Sequence, residues 1–176
     1  ELEVLNKKIN PVFKNADAHY FLALINGEIV GRIAALINWV EVKDLKKKKV
    51  RFGWFDFVDN KEVSKSLLNE VIKIGNDNNL EFIEGPVGFS NMDKAGMLIK
   101  GFEKKNTMIT LYNHSYYQDH MIAHGYKKLA EWVEYELKIA NYEDSPEKVK
   151  QFSDLILKRY KLKKLNFTKT EQIVPY

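Results

Sequence analysis

The chain has 176 residues, 45% of them apolar and 30% charged, with a net charge of +4 and a pI of about 9.0. That length suits one domain, or one domain with an appendage, and the composition is that of a folded chain. The absence of cysteine excludes disulfides, thiolate metal sites and a cysteine nucleophile, and no apolar run approaches the ~18–20 residues needed to cross a membrane. The opening Glu1-Leu2-Glu3-Val4 lacks the basic and apolar regions of a secretory leader, so a cytoplasmic location is expected. Lysines cluster at Lys43 with Lys46–Lys49, and again in the tail from Lys158 to Lys169. Charge runs of this kind read as solvated surface. No aromatic or glycine pattern of an RNA-binding motif accompanies them, so nucleic acid is not an expected partner.

Taken in order, Tyr20–Ile25 is apolar and β-prone, Asn26-Gly27 follows, and Glu28–Asn38 is apolar again. Asn-Gly between two such runs predicts a tight hairpin, because both central turn residues must accept a positive φ. Lys43–Lys49 reads as an exposed connection. Val50–Val58 predicts a third strand, with Phe52 and Trp54 on one face and Phe55 and Phe57 on the other. Asp59-Asn60 then caps a helix over 61–76, where Val63, Leu67, Val71 and Ile74 recur at helical spacing.

Glu81–Glu84 predicts a short strand ending at Gly85-Pro86. Four of the nine glycines lie between Gly85 and Gly101. Met108–Tyr112 is compatible with strand or loop. Ser115-Tyr116-Tyr117-Gln118 has the form of a capping box, opening a short helix that runs to His124 and stops at Gly125. Trp132–Leu137 alternates like a strand. Ser145-Pro146 predicts a final helix with Ser145 as cap, proline in the first turn, and Val149, Phe152 and Ile156 as its buried stripe. The central strand–helix–strand unit implies one parallel pair, since a crossover helix joins parallel strands. The fold class expected is α/β, with a mixed, mostly antiparallel sheet, one parallel strand pair and flanking helices.

This order, with these residues, resembles the GNAT acyltransferase fold. Gly27-Glu28-Ile29-Val30-Gly31-Arg32 is similar to that family's second and third strands, Phe52–Val58 to its fourth, and His124-Gly125-Tyr126 to the Gly-Phe after its fourth helix. The stretches NADAHYFLALINGEIVGRIAALIN, GPVGFSNMDKAGMLIKGF and YNHSYYQDHMIAHGYKK resemble a group of bacterial proteins of GNAT type more closely. The likeness covers about residues 10–140. It implies a GNAT-like domain over 1–140. Residues 141–176 would then be a helix and basic extension, which in the resembling proteins often begins a second, similar half.

The resemblance implies an N-acyltransferase that uses acetyl-CoA or another acyl-CoA and acts on an amine. Its alternative is a GNAT-shaped domain that binds a small molecule or serves a structural role without catalysis. The cofactor-binding positions would be Val58, Lys61, Val63, Ser64 and Asn113. The family's phosphate loop has the form Gln/Arg-x-x-Gly-x-Gly/Ala, and here Asp59, Glu62 and Ser64 take its three fixed places. Two carboxylates would face the pyrophosphate, so acyl-CoA binding is expected to be weak, with Lys61 a partial compensation. The usual acid-catalyst tyrosine is replaced by Met121, which has no transferable proton. Tyr116 and Tyr117, one turn earlier, are the substitute catalytic candidates, or else core aromatics.

Asp56, between Phe55 and Phe57, is either a base toward an ammonium or a hydrogen-bonded structural carboxylate. Gly85 and Gly88 belong to a loop leaving the parallel pair, where open α/β sheets bind ligands. The substrate site is therefore expected between Gly85–Gly101 and Tyr112–Tyr117. His120 and His124, four apart, have metal-ligand spacing, but no third ligand accompanies them and no metal is expected. Glu131, Glu134 and Glu136 are further base candidates.

Overall fold

The computed structural model describes residues 3–90, 92–138, 141–163 and 166–169. The chain divides into two compact units, residues 1–129 and 130–176.

In the first unit, β1 (Ala16–Ile25) and β2 (Glu28–Asn38) form the antiparallel hairpin. Asn26 and Gly27 have φ of 51° and 86°, the conformation that a tight turn between twisted strands requires. β3 (Lys49–Phe57) lies antiparallel beside β2. Helix α1 (Lys61–Asp77) then crosses to β4 (Phe82–Glu84), which is parallel to β3. The sheet order is β1-β2-β3-β4, so this is a mixed α/β sheet with one parallel pair.

Helix α1 covers one face. Val63, Leu67, Leu68 and Val71 pack on Ile33, Ala35, Ile37, Val50 and Phe52, all buried. On the other face Ala16, Ala18, Ala34, Leu36 and Phe89 form a smaller cluster. The five residues from Ile33 to Ile37 are therefore buried on both sides of the sheet.

The faces of β3 differ from simple alternation. Arg32 pairs with Asp56 and Ala34 with Gly53, so Trp54 and Phe55 together oppose Ile33. Trp54 takes φ of 49°, and the extra residue makes a bulge. Phe52, Phe55 and Phe57 consequently share the α1 face, with Phe52 and Phe55 edge to face at 5.5 Å. Trp54 turns to the other face, beside Phe89. Periodicity cannot foresee this, because one inserted residue reverses every later side chain.

The expected loop at Lys43–Lys49 also differs. Val40–Asp44 is one wide helical turn, and Lys49 already belongs to β3. Lys49 and Arg51 are buried, and they are neutralised. Arg51 Nη2 lies 2.6 Å from Glu41 Oε1, Lys49 Nζ lies 3.4 Å from the same oxygen, and Lys49 also pairs with Glu84. Arg51 Nη1 donates to the Gly88 carbonyl at 3.3 Å. Two strand residues, the helical turn and the following loop are thus joined by one ionic cluster.

β4 pairs with β3 only from Lys49↔Phe82 to Arg51↔Glu84. Beyond this the Val87 N–H still donates to Phe52 O at 2.8 Å. The chain then leaves the sheet edge, and the end of β3 is met by helix α2 (Tyr116–Ala123). Gly125, at φ of 82°, ends α2, and the Tyr126 N–H bonds to Met121 O. The expected capping box is not formed. Ser115 is itself in helical conformation and its hydroxyl caps nothing, while the Tyr117 N–H is met by the His114 carbonyl. Residues 108–112 are turn and loop.

In the second unit, residues 130–138 form no strand. Trp132, Val133, Tyr135 and Leu137 are exposed. Alternation marks a segment able to be a strand, but a strand exists only where a ladder partner is supplied. Helix α3 (Glu147–Arg159) starts one residue later than the Ser-Pro pattern implies. Pro146 is its cap residue and no side chain caps it. Its Val149 and Phe152 are exposed and Ile156 is only partly covered, so the stripe is not buried within the described residues. No helix among the described residues is long and apolar enough to cross a membrane.

Candidate functional site

A cavity of about 460 Å³ opens in the first unit, between the hairpin end of β2, the end of β3 and the segment 112–117. The cavity thus follows from the short pairing of β4, which leaves the last residues of β3 to α2. Ile29, Val30, Gly31 and Arg32 line one side, Asp56, Phe57 and Val58 the floor, and Tyr112, Asn113, His114, Tyr116 and Tyr117 the other side.

Its tyrosines are engaged by β3. The Tyr116 hydroxyl donates to the Phe57 carbonyl at 2.6 Å, and the Phe57 N–H donates to the Tyr117 hydroxyl at 3.3 Å. Tyr117 in turn donates to Asp56 Oδ1 at 3.3 Å and stacks on the Phe57 ring at 4.3 Å. Both polar groups of Phe57 are satisfied by side chains in place of a neighbouring strand. His114 stacks on Tyr116 at 5.2 Å, with the rings 9° apart.

Burial pushes the Tyr117 hydroxyl up to about 12, opposed by the Phe57 N–H and assisted by the Asp56 carboxylate. Burial, then Asp59 and Asp56, raise Tyr116 also. A tyrosine whose neutral form is favoured in the fold stabilises it fully below the ordinary value of about 10, and that contribution is lost as pH rises toward 12. Absorbance titration should therefore find Tyr117 still protonated at pH 11, and Tyr117→Phe should remove the last ionisation step. A step near 12 that survives Tyr117→Phe would contradict this assignment.

The cavity's charged pair is Arg32 and Asp56. Arg32 Nε and Nη2 each lie 2.7 Å from Asp56 Oδ2, and both side chains are about half exposed. Asp56 is thus cross-strand from Arg32, a register that spacing alone does not reveal. Arg32 and His114 were not foreseen as site residues. The signal present in the sequence was only that each lies within a segment already singled out, Arg32 in Gly27–Arg32 and His114 in Tyr112–Tyr117.

Of the expected cofactor positions, Val58 and Asn113 line the cavity. Asn113 acts as a brace. Its Oδ1 accepts the Leu98 N–H at 2.6 Å, and its Nδ2 donates to Leu98 O and His114 O. Lys61, Val63 and Ser64 lie elsewhere. Val63 and Ser64 are buried, and the first-turn N–H groups of α1 are already taken. Glu62 donates to Asn60 Oδ1 at 2.9 Å, while Val63 and Ser64 donate to the Asn60 carbonyl.

Gly85 and Gly88, expected at the substrate site, do not line this cavity. A Cβ on Gly85 would stand 2.4 Å from Phe52 O, so this glycine permits close packing and not ligand approach. Gly88 packs on Asp93 and receives Arg51. Met121 is core. Glu131, Glu134 and Glu136 belong to the second unit.

The two histidines converge on a serine. Ser64 Oγ lies 2.8 Å from His120 Nδ1 and 2.8 Å from His124 Nε2, and His120 Nε2 lies 2.8 Å from Asp59 Oδ1. Asp59, expected opposite a phosphate, instead pairs with His120. No group of three or more metal-ligating side chains occurs among the described residues.

No protein-family model matches the chain, and no solved structure does. Among curated proteins the chain is similar to Protein YghO of Escherichia coli (strain K12), at 28% identity over 112 residues. The match takes in 61% of this chain and 29% of that protein, so the chain spans less than a third of the relative's length.

Proposed function

We propose that residues 1–129 form a small-molecule-binding domain of GNAT-like design, in which the hairpin–β3–α2 cavity receives the ligand without tyrosine acid catalysis. One observation carries the reading: both tyrosine hydroxyls that could serve as the acid are committed to the backbone of Phe57. Protonating a leaving thiolate would break the bond from Tyr116 to the Phe57 carbonyl or that from Tyr117 to Asp56, and draw on a hydroxyl already held above its ordinary value.

The residues present do not fit an acyl-CoA phosphate group at the α1 start. Asn60 satisfies the N–H groups of residues 62–64, Ser64 is buried beneath two histidines, and Asp59 adds a carboxylate. Helix N-termini bind phosphate through unpaired N–H groups, and these are paired. No step through acyl-CoA is therefore assigned. A cytoplasmic location belongs to the same proposal and rests on the absence of cysteine.

A second reading, acyl transfer to an amine, is favoured by the position of the cavity where β3 outruns β4, beside the Asp56 carboxylate. Calorimetry with acetyl-CoA separates the two. The binding reading expects affinity no tighter than the millimolar range. It also expects any small molecule found by native mass spectrometry to be lost from Arg32→Ala. Low-micromolar acetyl-CoA affinity, with turnover of a simple amine, would instead establish acyl transfer.

A further inference from the structure

We propose that helix α3 binds the surface of an anionic lipid bilayer, with its apolar stripe at the acyl boundary and its cations among the headgroups. The proposal concerns the second unit alone and does not rest on what the cavity takes.

Its starting point is a stripe with no cover. No residue of α3 is buried. Val149 is 57% exposed, Phe152 62% and the capping Tyr160 64%, while Ile156 is only partly covered. At 3.6 residues per turn these four fall within an arc of about 80°. Leu155 and Leu157, both exposed, widen that face on either side. A contiguous exposed apolar face of this kind marks an interaction site.

The charges around the stripe decide what it meets. Lys148 and Arg159 run along one border, and Lys150 stands beyond Leu157 on the other. The helix's two carboxylates, Glu147 and Asp154, fall on the far side together with Lys158. Lys161 and Lys163 follow at once, and both are exposed. Cations beside the stripe and acids away from it suit a helix lying in a bilayer interface. There the apolar face sinks to the acyl boundary, and lysine and arginine stems reach back to the lipid phosphates.

Other occupants use only half of this pattern. Nucleic acid would engage the cations and leave the stripe in water. A second copy laid stripe to stripe would bring the border cations of both helices together. Spanning the bilayer is excluded by length, because 13 residues of helix reach about 20 Å against a hydrocarbon core of about 30 Å. An anionic bilayer surface satisfies both the apolar face and the charge beside it.

The chain has no cysteine, so a single introduced thiol can report on each face. Phe152→Cys marks the stripe and Gln151→Cys the polar side, and each whole chain carries one environment-sensitive fluorophore. The probes are vesicles of phosphatidylcholine and phosphatidylserine in equal parts, and vesicles of phosphatidylcholine alone. The label at 152 should shift to the blue with the mixed vesicles, and the label at 151 should not. Affinity for phosphatidylcholine alone should be lower by about tenfold or more, since each cation near an anionic surface contributes roughly fivefold. In cosedimentation of the unlabelled chain, Phe152→Ser with Ile156→Ser should weaken binding by about tenfold or more, with circular dichroism unchanged. No shift at 152, or equal shifts at both positions, would overturn the proposal. Binding untouched by the two serines would do the same, because it would mean adsorption of the lysines by charge alone. A shift at 152 that needs no vesicles and grows with chain concentration would assign the stripe to a second copy instead.

Discussion

Replacing Arg51 with alanine is expected to destabilise the first unit by about 3–5 kcal/mol, read as a lower urea midpoint. Arg51 is 1% exposed, its guanidinium meets Glu41 at 2.6 Å, and it also holds the loop at Gly88. Truncation leaves Glu41 buried with only Lys49, 3.4 Å away, as partner, and Lys49 is shared with Glu84. The large effect is the cost of an uncompensated charge and not the net worth of the pair. Taking both charges away should therefore recover much of the loss. Arg51→Met with Glu41→Leu is expected to lie well above Arg51→Ala in stability. A double variant as unstable as the single one would show that shape, not charge compensation, governs this cluster.

Phe52→Ala should be comparably severe, at about 3–5 kcal/mol, the range for emptying a buried aromatic site. Phe52 is fully buried, lies edge to face with Phe55 at 5.5 Å and with Tyr126 at 6.1 Å, and presses on the Cα of Gly85. The cavity left would sit under α1, where backbone on both sides restricts collapse. Phe52→Leu keeps most of the volume and should cost markedly less. Thermal unfolding of the two variants provides the comparison. Equal losses would mean that ring contacts with Phe55 and Tyr126 matter more than filled volume.

Several elements were legible in the residues because their causes are local. The Asn26-Gly27 turn needs two positive φ values and has them. The helix over 61–77 follows from an apolar stripe with Asn60 as cap, and Gly125 ends α2. The parallel pair follows from a strand–helix–strand of the right length. Tyr116, Tyr117, Asn113, Asp56 and Val58 were singled out and do line one cavity.

The rest depended on neighbours distant in the chain. Spacing could not place Phe55 beside Phe52, because the bulge at Trp54 arises from how β3 meets β2. Nor could it bury Lys49 and Arg51, whose tolerance inside the fold depends on carboxylates 8 and 35 positions from Lys49 and 10 from Arg51. His120 and His124 carry metal-ligand spacing, yet the serine opposite them, 56 and 60 residues earlier, turns them into hydrogen-bonding partners.

By itself, then, the sequence determined the order of strands and helices from β1 to α2, the Asn26-Gly27 turn, the Asn60 cap and the Gly125 stop, and which residues stand near the end of β3. Those depend on backbone sterics and on side-chain period, which act over a few residues. Only the tertiary structure decided which polar groups are spent on one another. The Phe57 backbone takes up both tyrosines, Asp56 takes Arg32, and Asp59 takes His120. A buried donor or acceptor must find a partner or cost the fold its desolvation, and that partner is chosen by packing across the sheet, not by position along the chain.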